Sequence, residues 1–473
     1  MKTKFLLLTA FSLLFLVSCE TEIIDETNSL NESTTLNKGA NTNNSFMVIS
    51  KSETLSKGLE KSLSKIGKVS NTIPAIGIAV VQSNDPDFSV KAEKIKGVGA
   101  VVPNIKVQWL DPKEKKENYE AVDSPPNTND DDFLFDFQWG HDAIDAPEAW
   151  EAGFRGEGAR VAVLDTGFDL NHPDLAPNIS GLSMDFTGQG LQYEFISINE
   201  NSHGTHTAGT IAALDNGYGT IGVAPEAELV LIKVLYDEGS GYLFDILNGI
   251  IYAASDEVDA DVINMSIGAT FNKSGGEDYT ASDAAWYKNI YGKAITYAYQ
   301  KGTTVITSAG NAATDYDHSA DLIHLPSGAA HAISISATAP VGWAADPSAN
   351  LDVFAGYSNY GQSVIDFAAP GGTYDYYYEV GVSECTVGWL TRRCYVFDLV
   401  LSTGLEGWYW SAGTSMAAPH AAGVAALIIG KNGGSMKPAQ VEAALRASAD
   451  DLGKPGNDDF YGKGRVNAFN AVK

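Results

Sequence analysis

The chain has 473 residues, a net charge of -28 and a pI near 4.5. That length allows a large core and more than one domain. The acidity argues against a nucleic-acid partner, because a phosphate backbone would be repelled and no basic patch interrupts the sequence; it suits a protein that must stay soluble after export.

Met1-Lys2-Thr3-Lys4 followed by an apolar stretch at 5–17 reads as the charged start and hydrophobic centre of a secretory signal, which predicts a signal peptide over 1–18. It ends in Leu16-Val17-Ser18-Cys19 and resembles a bacterial lipobox, in which Cys19 becomes the lipidated first residue of the mature chain. That resemblance implies a membrane-anchored lipoprotein of the cell envelope or cell surface. Residues 19–45 are rich in Asn, Thr, Ser and acidic side chains, too poor in apolar groups for a core, and read as a flexible tether.

From Phe46 the pattern changes. Phe46-Met47-Val48-Ile49 suits a strand, 53–66 an amphipathic helix with Leu55, Leu59, Leu63 and Ile66 on one face, 75–81 a second strand, 88–95 a short helix and 101–110 a last extended segment. Together they predict a small α+β unit over 46–110. The stretch 111–133 is charged and turn-rich, with Ser124-Pro125-Pro126-Asn127 and Asp130-Asp131-Asp132, and reads as an exposed, cleavable linker. Strands then alternate with helices over 134–473, which predicts an α/β fold: a doubly wound parallel sheet with helices on both faces. Apart from Cys19 the only cysteines are Cys385 and Cys394, an even pair in an exported chain, for which a disulfide is the default reading.

Four stretches carry chemistry. The apolar run Val161-Ala162-Val163-Leu164 ends in Asp165-Thr166-Gly167, placing a carboxylate at the C-terminal end of a strand. His203-Gly204-Thr205-His206 opens a small-residue helix. Val305-Ile306-Thr307-Ser308-Ala309-Gly310-Asn311 is a strand ending in an amide, and Gly413-Thr414-Ser415-Met416-Ala417-Ala418-Pro419-His420 sets a serine at the start of a buried helix, where backbone N–H groups and the helix dipole favour an oxyanion. A serine hydroxyl is a weak nucleophile and needs a base, an orienting acid and oxyanion donors.

These four stretches, in this order, resemble those of the subtilisin-family (subtilase) serine proteases over roughly residue 138 to the C-terminus. The resemblance implies a subtilisin-like fold and a serine endopeptidase in which Asp165 orients His203, His203 activates Ser415, and Asn311 donates to the oxyanion. His206, one turn after His203, is then structural. It implies two edges for an extended peptide or protein substrate, Gly239-Ser240-Gly241 and Ser266-Ile267-Gly268. Ser308, Ala309 and Gly310 then wall the pocket for the residue before the scissile bond, with His324 at its base where subtilisins often carry glycine. It implies a structural Ca2+ site: the side chains of Asp174 and Asn216 with the backbone carbonyls of Leu214, Tyr218 and Thr220, an all-oxygen set. It also implies that 46–110 is an inhibitor-like prodomain and that the enzyme processes itself in the linker. Two alternatives stand beside hydrolysis: a transpeptidase or peptide cyclase, for which the aromatic segment 373–412 would have to exclude water, and a catalytically silent binding protein.

Overall fold

The computed structural model describes residues 44–111, 116–119, 132–193, 201–381 and 383–473. The expected signal peptide, Cys19, nearly all of the tether and most of the linker lie outside the described residues. No helix among the described residues is long and apolar enough to cross a membrane.

The N-terminal unit comprises β1 (Ser45–Ser50), α1 (Lys57–Leu63), β2 (Lys68–Ile73), β3 (Ile78–Gln82), α2 (Phe88–Glu93) and β4 (Val98–Pro103). Its strands form one antiparallel sheet in the order β2-β3-β1-β4. The helix expected over 53–66 is shorter, because Ser56 caps it by accepting the Leu59 N–H. Strand β2 was not expected: it lies at the sheet edge, and its Lys68, Ser70, Asn71 and Thr72 give no apolar run. The segment expected at 101–110 breaks after Pro103, and β5 (Lys106–Gln108) leaves the sheet to pair elsewhere. A short β6 (Lys116–Tyr119) follows.

The second unit begins with the short helices α3 (Trp139–Ala143) and α4 (Ala146–Glu151). It then runs β7 (Arg160–Asp165), β8 (Met184–Asp185), α5 (His203–Ala212), β9 (Glu228–Lys233), β10 (Ser240–Tyr242), α6 (Leu243–Ala253), β11 (Val262–Met265), β12 (Ala269–Asn272) and α7 (Ala281–Lys301). Next come β13 (Thr304–Ser308), β14 (Leu322–Leu325), β15 (Ala332–Ala339), β16 (Val353–Phe354) and β17 (Phe367–Pro370). The chain finishes with α8 (Asp375–Val380), β18 (Glu384–Val387), β19 (Leu390–Arg393), β20 (Val400–Thr403), β21 (Trp408–Ser411), α9 (Thr414–Lys431), α10 (Pro438–Ser448) and α11 (Ala468–Val472).

The central sheet runs β16-β15-β13-β11-β7-β9-β8, with β17 also on β15, and is parallel apart from β16. Its inner strands β7, β9, β11 and β13 are buried along nearly their whole length, as parallel strands covered on both faces must be. The order reverses at β7, with β9 on one side and β11 on the other, so a crevice opens at the C-terminal ends of β7 and β11. Helices α5 and α9 start at that crevice and cross the same face. Alanine and glycine let them approach closely, and Ala417, Ala418, Ala421 and Ala422 share one core with Ala208, Ile211 and Ala212.

Candidate active site

Asp165 is the last residue of β7 and is fully buried. Its Oδ1 accepts the Thr166 N–H at 2.7 Å and its Oδ2 the Thr207 hydroxyl at 3.2 Å. His203 is the first residue of α5, which Ser202 caps by accepting the Thr205 N–H. The His203 Nδ1 lies 2.8 and 2.9 Å from the two Asp165 oxygens. His206, one turn on, hydrogen-bonds the Val400 carbonyl at 3.2 Å through Nε2 and packs on Tyr409. Burial and the neighbouring His203 bring its pKa down to about 3, which suits a core histidine.

Ser415 stands in the first turn of α9, and its hydroxyl donates to the Ser266 carbonyl at 3.0 Å. Thr414 links this turn to the end of β13: its N–H and hydroxyl donate to Asn311 Oδ1 at 2.9 and 2.8 Å, and its oxygen accepts the Gly310 N–H at 2.9 Å. With Oδ1 so engaged, the Asn311 amide turns Nδ2 toward the serine turn. A Cβ on Gly413 would lie 3.2 Å from it, so glycine keeps that space open.

The two expected peptide edges are already occupied. Strand β5 pairs antiparallel with β10, Ser240 opposite Gln108 and Gly241 opposite Val107. The Trp109 and Leu110 N–H groups donate to the Gly239 carbonyl at 2.9 and 3.2 Å, and the Gly268 N–H donates to the Trp109 carbonyl at 3.1 Å. Trp109 also donates from its indole to the Gly241 carbonyl at 3.0 Å and packs near Phe271 and Tyr291. Beyond the serine, β6 pairs antiparallel with β21, Lys116 opposite Ser411 and Tyr119 opposite Trp408. The end of the N-terminal unit, at Lys106 to Leu110, thus lies along the two peptide edges, and Lys116 to Tyr119 of the linker pairs with the strand that leads into the Ser415 turn.

His324, on β14, lies between the two glycine walls of the pocket. A Cβ on Gly268 would fall 2.3 Å from its Cε1 and one on Gly310 2.7 Å from its Nε2. The ring is 5% exposed, and its Nδ1 is 2.7 Å from the Ser327 hydroxyl. Ser308 and Gly310 line the cavity, while Ala309 is buried and its carbonyl accepts from Asn359 at 2.7 Å. Ile267 turns its side chain into the core, so its part in the edge is a backbone one.

Asp174, Leu214, Asn216, Tyr218 and Thr220 meet in one loop cluster. Asp174 Oδ2 accepts the Thr220 N–H at 3.0 Å and the Trp408 indole N–H at 2.9 Å; Oδ1 lies 3.3 Å from the Asn216 amide. Burial pushes the Asp174 carboxyl up to about 7. The buried Thr220 hydroxyl finds no hydrogen-bond partner among the described residues. Asp132, expected in an exposed linker, is instead fully buried against the same loop, where its carboxylate accepts the Asn216 N–H at 3.2 Å. Among the described residues no three His, Cys, Asp or Glu side chains converge, so a cation here would be held mainly by amide and carbonyl oxygen. Two buried carboxylates, an amide and an orphaned hydroxyl are a donor set that a hard cation fits.

Cys385 and Cys394 form a disulfide, with 4.8 Å between their Cα atoms, across the hairpin of β18 and β19. The aromatic residues of that insertion largely form their own core: Trp408, Trp410 and Phe397 pack with Phe133 and Phe137.

The description of the subtilase family matches residues 156–464. The chain is 34% identical to thermitase of Thermoactinomyces vulgaris over 348 residues, spanning 73% of this chain and 99% of thermitase. It is 35% identical to subtilisin E of Bacillus subtilis (strain 168) over 335 residues, 71% of each chain. Its fold is similar to the epidermin leader peptide processing serine protease (EpiP) from Staphylococcus aureus, with a TM-score of 0.71 at 22% identity over 90% of this chain and 97% of that one. A crevice at the sheet's switch point, bordered by Asp165, His203, Asn311 and Ser415 on the scaffold these relatives share, leaves one conclusion: the chain belongs to the subtilase family and is a serine endopeptidase.

Proposed function

We propose that the protein is an exported, lipid-anchored endopeptidase that acts through Asp165, His203 and Ser415 and frees itself from a precursor. The observation that carries this reading is the His203 to Asp165 contact, beside a cleft whose peptide edges are already paired with Trp109 and Leu110 at the end of the N-terminal unit. Asp165 holds His203 through Nδ1, so Nε2 takes the proton as Ser415 Oγ leaves the Ser266 carbonyl and bonds to the scissile carbonyl carbon. The oxyanion accepts from the Ser415 N–H and from Asn311 Nδ2; losing the latter in Asn311→Ala should lower kcat by about 10²–10³. The C–N bond then breaks with the proton passing from His203 to the leaving amine, and water repeats the sequence on the acyl-enzyme. Hydrolysis is the preferred reading over ligation because Phe397, Trp408 and Trp410 of 373–412 are committed to a core of their own.

By this reading 46–110 is an intramolecular inhibitor, 111–133 holds the maturation site, and Cys19 carries the lipid. Calcium, held by Asp174, Asn216 and the carbonyls of Leu214, Tyr218 and Thr220 with Asp132 beside them, would brace the 214–220 loop; it takes no part in the chemistry. A fluorophosphonate probe combined with product analysis on a mixed peptide pool tests the enzyme reading. Labelling at Ser415 with hydrolysis supports it, ligation products support the cyclase, and no labelling supports a silent binder. Cys19→Ala should move the protein out of the membrane fraction.

A further inference from the structure

We propose that His324 makes the pocket beside Ser415 selective for an acidic residue on the acyl side of the scissile bond, and that Asp111 is the residue the protein's own linker presents there. The proposal rests on the Ser415 reading above and adds its substrate class.

The register comes from three contacts. Gly268 N–H holds the Trp109 carbonyl, Gly239 carbonyl holds the Leu110 N–H, and the Leu110 side chain lies over Gly239, where an added Cβ would be 2.7 Å from Leu110 Cβ. The next residue, Asp111, borders the same cavity as Ser308, Gly310, Asn311, His324 and Ser415. Among the described residues that line that cavity, no other is acidic.

His324 sets both depth and polarity. Its ring fills the space between Gly268 and Gly310 that a long or aromatic side chain would need. His324 Nδ1 lies 2.7 Å from the Ser327 hydroxyl, which can donate to it; in the proposed tautomer the imidazole proton sits on Nε2, at the edge turned to Gly310. Burial brings the His324 pKa down to about 4, so the empty pocket holds a neutral ring with one N–H to offer. A neutral buried donor discriminates strongly, because an apolar residue leaves it unpaired and a lysine or arginine finds no acceptor charge. A bare shallow pocket would instead favour alanine or serine.

The test uses the mature enzyme and internally quenched peptides with Asp, Glu, Asn, Gln, Ala, Leu, Phe or Lys before a common Ala on the leaving side. Wild type should show kcat/KM at least tenfold higher for Asp or Glu than for Ala, Leu, Phe and Lys. His324→Gly should lose that preference and gain at least tenfold on Phe or Leu; His324→Gln, which keeps an N–H and most of the volume, should retain part of the acidic preference. Fluorophosphonate labelling of Ser415 is measured on each variant. Labelled wild type that prefers Leu, Phe or Lys, or a labelled His324→Gly that still prefers acidic residues, overturns this specificity while leaving the Ser415 reading intact. No labelling and no cleavage of any peptide by wild type overturns both.

Discussion

The two faces of the N-terminal sheet are covered in different ways. Val48, Ala79, Val81, Val98 and Val101 point to α1 and α2 and form a closed core with Leu59, Leu63 and Phe88. Met47, Ile49, Ile78, Val80, Ala100 and Val102 point the other way and join a core with Ala284, Tyr287, Ile290 and Leu243 of the protease unit. The period of two along β1 splits adjacent residues between these cores. The docking is pinned by polar contacts at its rim: the Tyr287 hydroxyl donates to the Pro103 carbonyl at 3.0 Å, and the Asn104 side chain accepts the Phe244 N–H at 3.2 Å. A sheet with one face completed by another unit is stable in proportion to that contact. A unit built this way would lose part of its core if it were released.

The largest expected effect comes from freezing that contact. Ser415→Ala removes the proposed nucleophile with little change of volume, so self-cleavage should fall by several orders of magnitude and the purified protein should keep residues 46–110. Wild type should show a new N-terminus between residues 111 and 135; an identical N-terminus in purified Ser415→Ala with no other protease present would sink self-processing. The next separates the two faces directly. Val48→Asp and Ile49→Asp each bury a charge and cost several kcal/mol. Made in the Ser415→Ala background, Val48→Asp should abolish amide protection throughout 45–103. Ile49→Asp should lose it mainly at the docked face and uncover α7. Indistinguishable exchange maps would break the comparison.

Cation removal ranks third, and should spare both faces. A ligand that binds only the folded state adds about 2.7 kcal/mol at a hundredfold excess over its dissociation constant, so EDTA should lower Tm by about 5 °C and expose 214–220 first. Unchanged melting would remove calcium from this loop. The smallest effect concerns Asp245, on the docking helix α6, whose carboxyl burial pushes up to about 7. The folded state therefore holds a proton that the unfolded chain, at about 3.9, has lost, and stability declines as pH rises from about 4 through about 7. Asp245→Asn should melt with wild type near pH 4 and about 2–3 °C higher at pH 8, a gain on the order of 1 kcal/mol. Equal melting at both pH values would mean that solvent reaches the carboxylate.

Legibility in the sequence follows physical signal strength. The central strands are apolar along their length and end at residues such as Asp165, so the parallel sheet and the crevice could be read directly. The two small-residue helices gave the places of His203 and Ser415 for the same reason. Strand β2 escaped because an edge strand half open to water needs no apolar run. Asp132 escaped because it looked like one of three linker acids, whereas burial against the Asn216 loop depends on a contact 84 residues away. The path of Trp109 and Leu110 into the cleft is likewise a long-range event: their pairing groups, on Gly239 and Gly268, are backbone atoms that leave no mark in side-chain pattern.

The close approach of α5 and α9 also limits how the enzyme can be engineered. Replacing a helical glycine by alanine ordinarily stabilises a helix by up to about 1 kcal/mol. Here a Cβ on Gly209 would fall 2.1 Å from Thr403 Oγ1, and one on Gly423 2.5 Å from the Val223 Cβ. Both helices start at the crevice, so a shift made to admit either methyl would be carried along them to His203 or Ser415. A thermostabilisation campaign guided by helix propensity should therefore leave these two glycines alone and spend its substitutions on α7 and α10, whose solvent-facing turns lead to no reacting group.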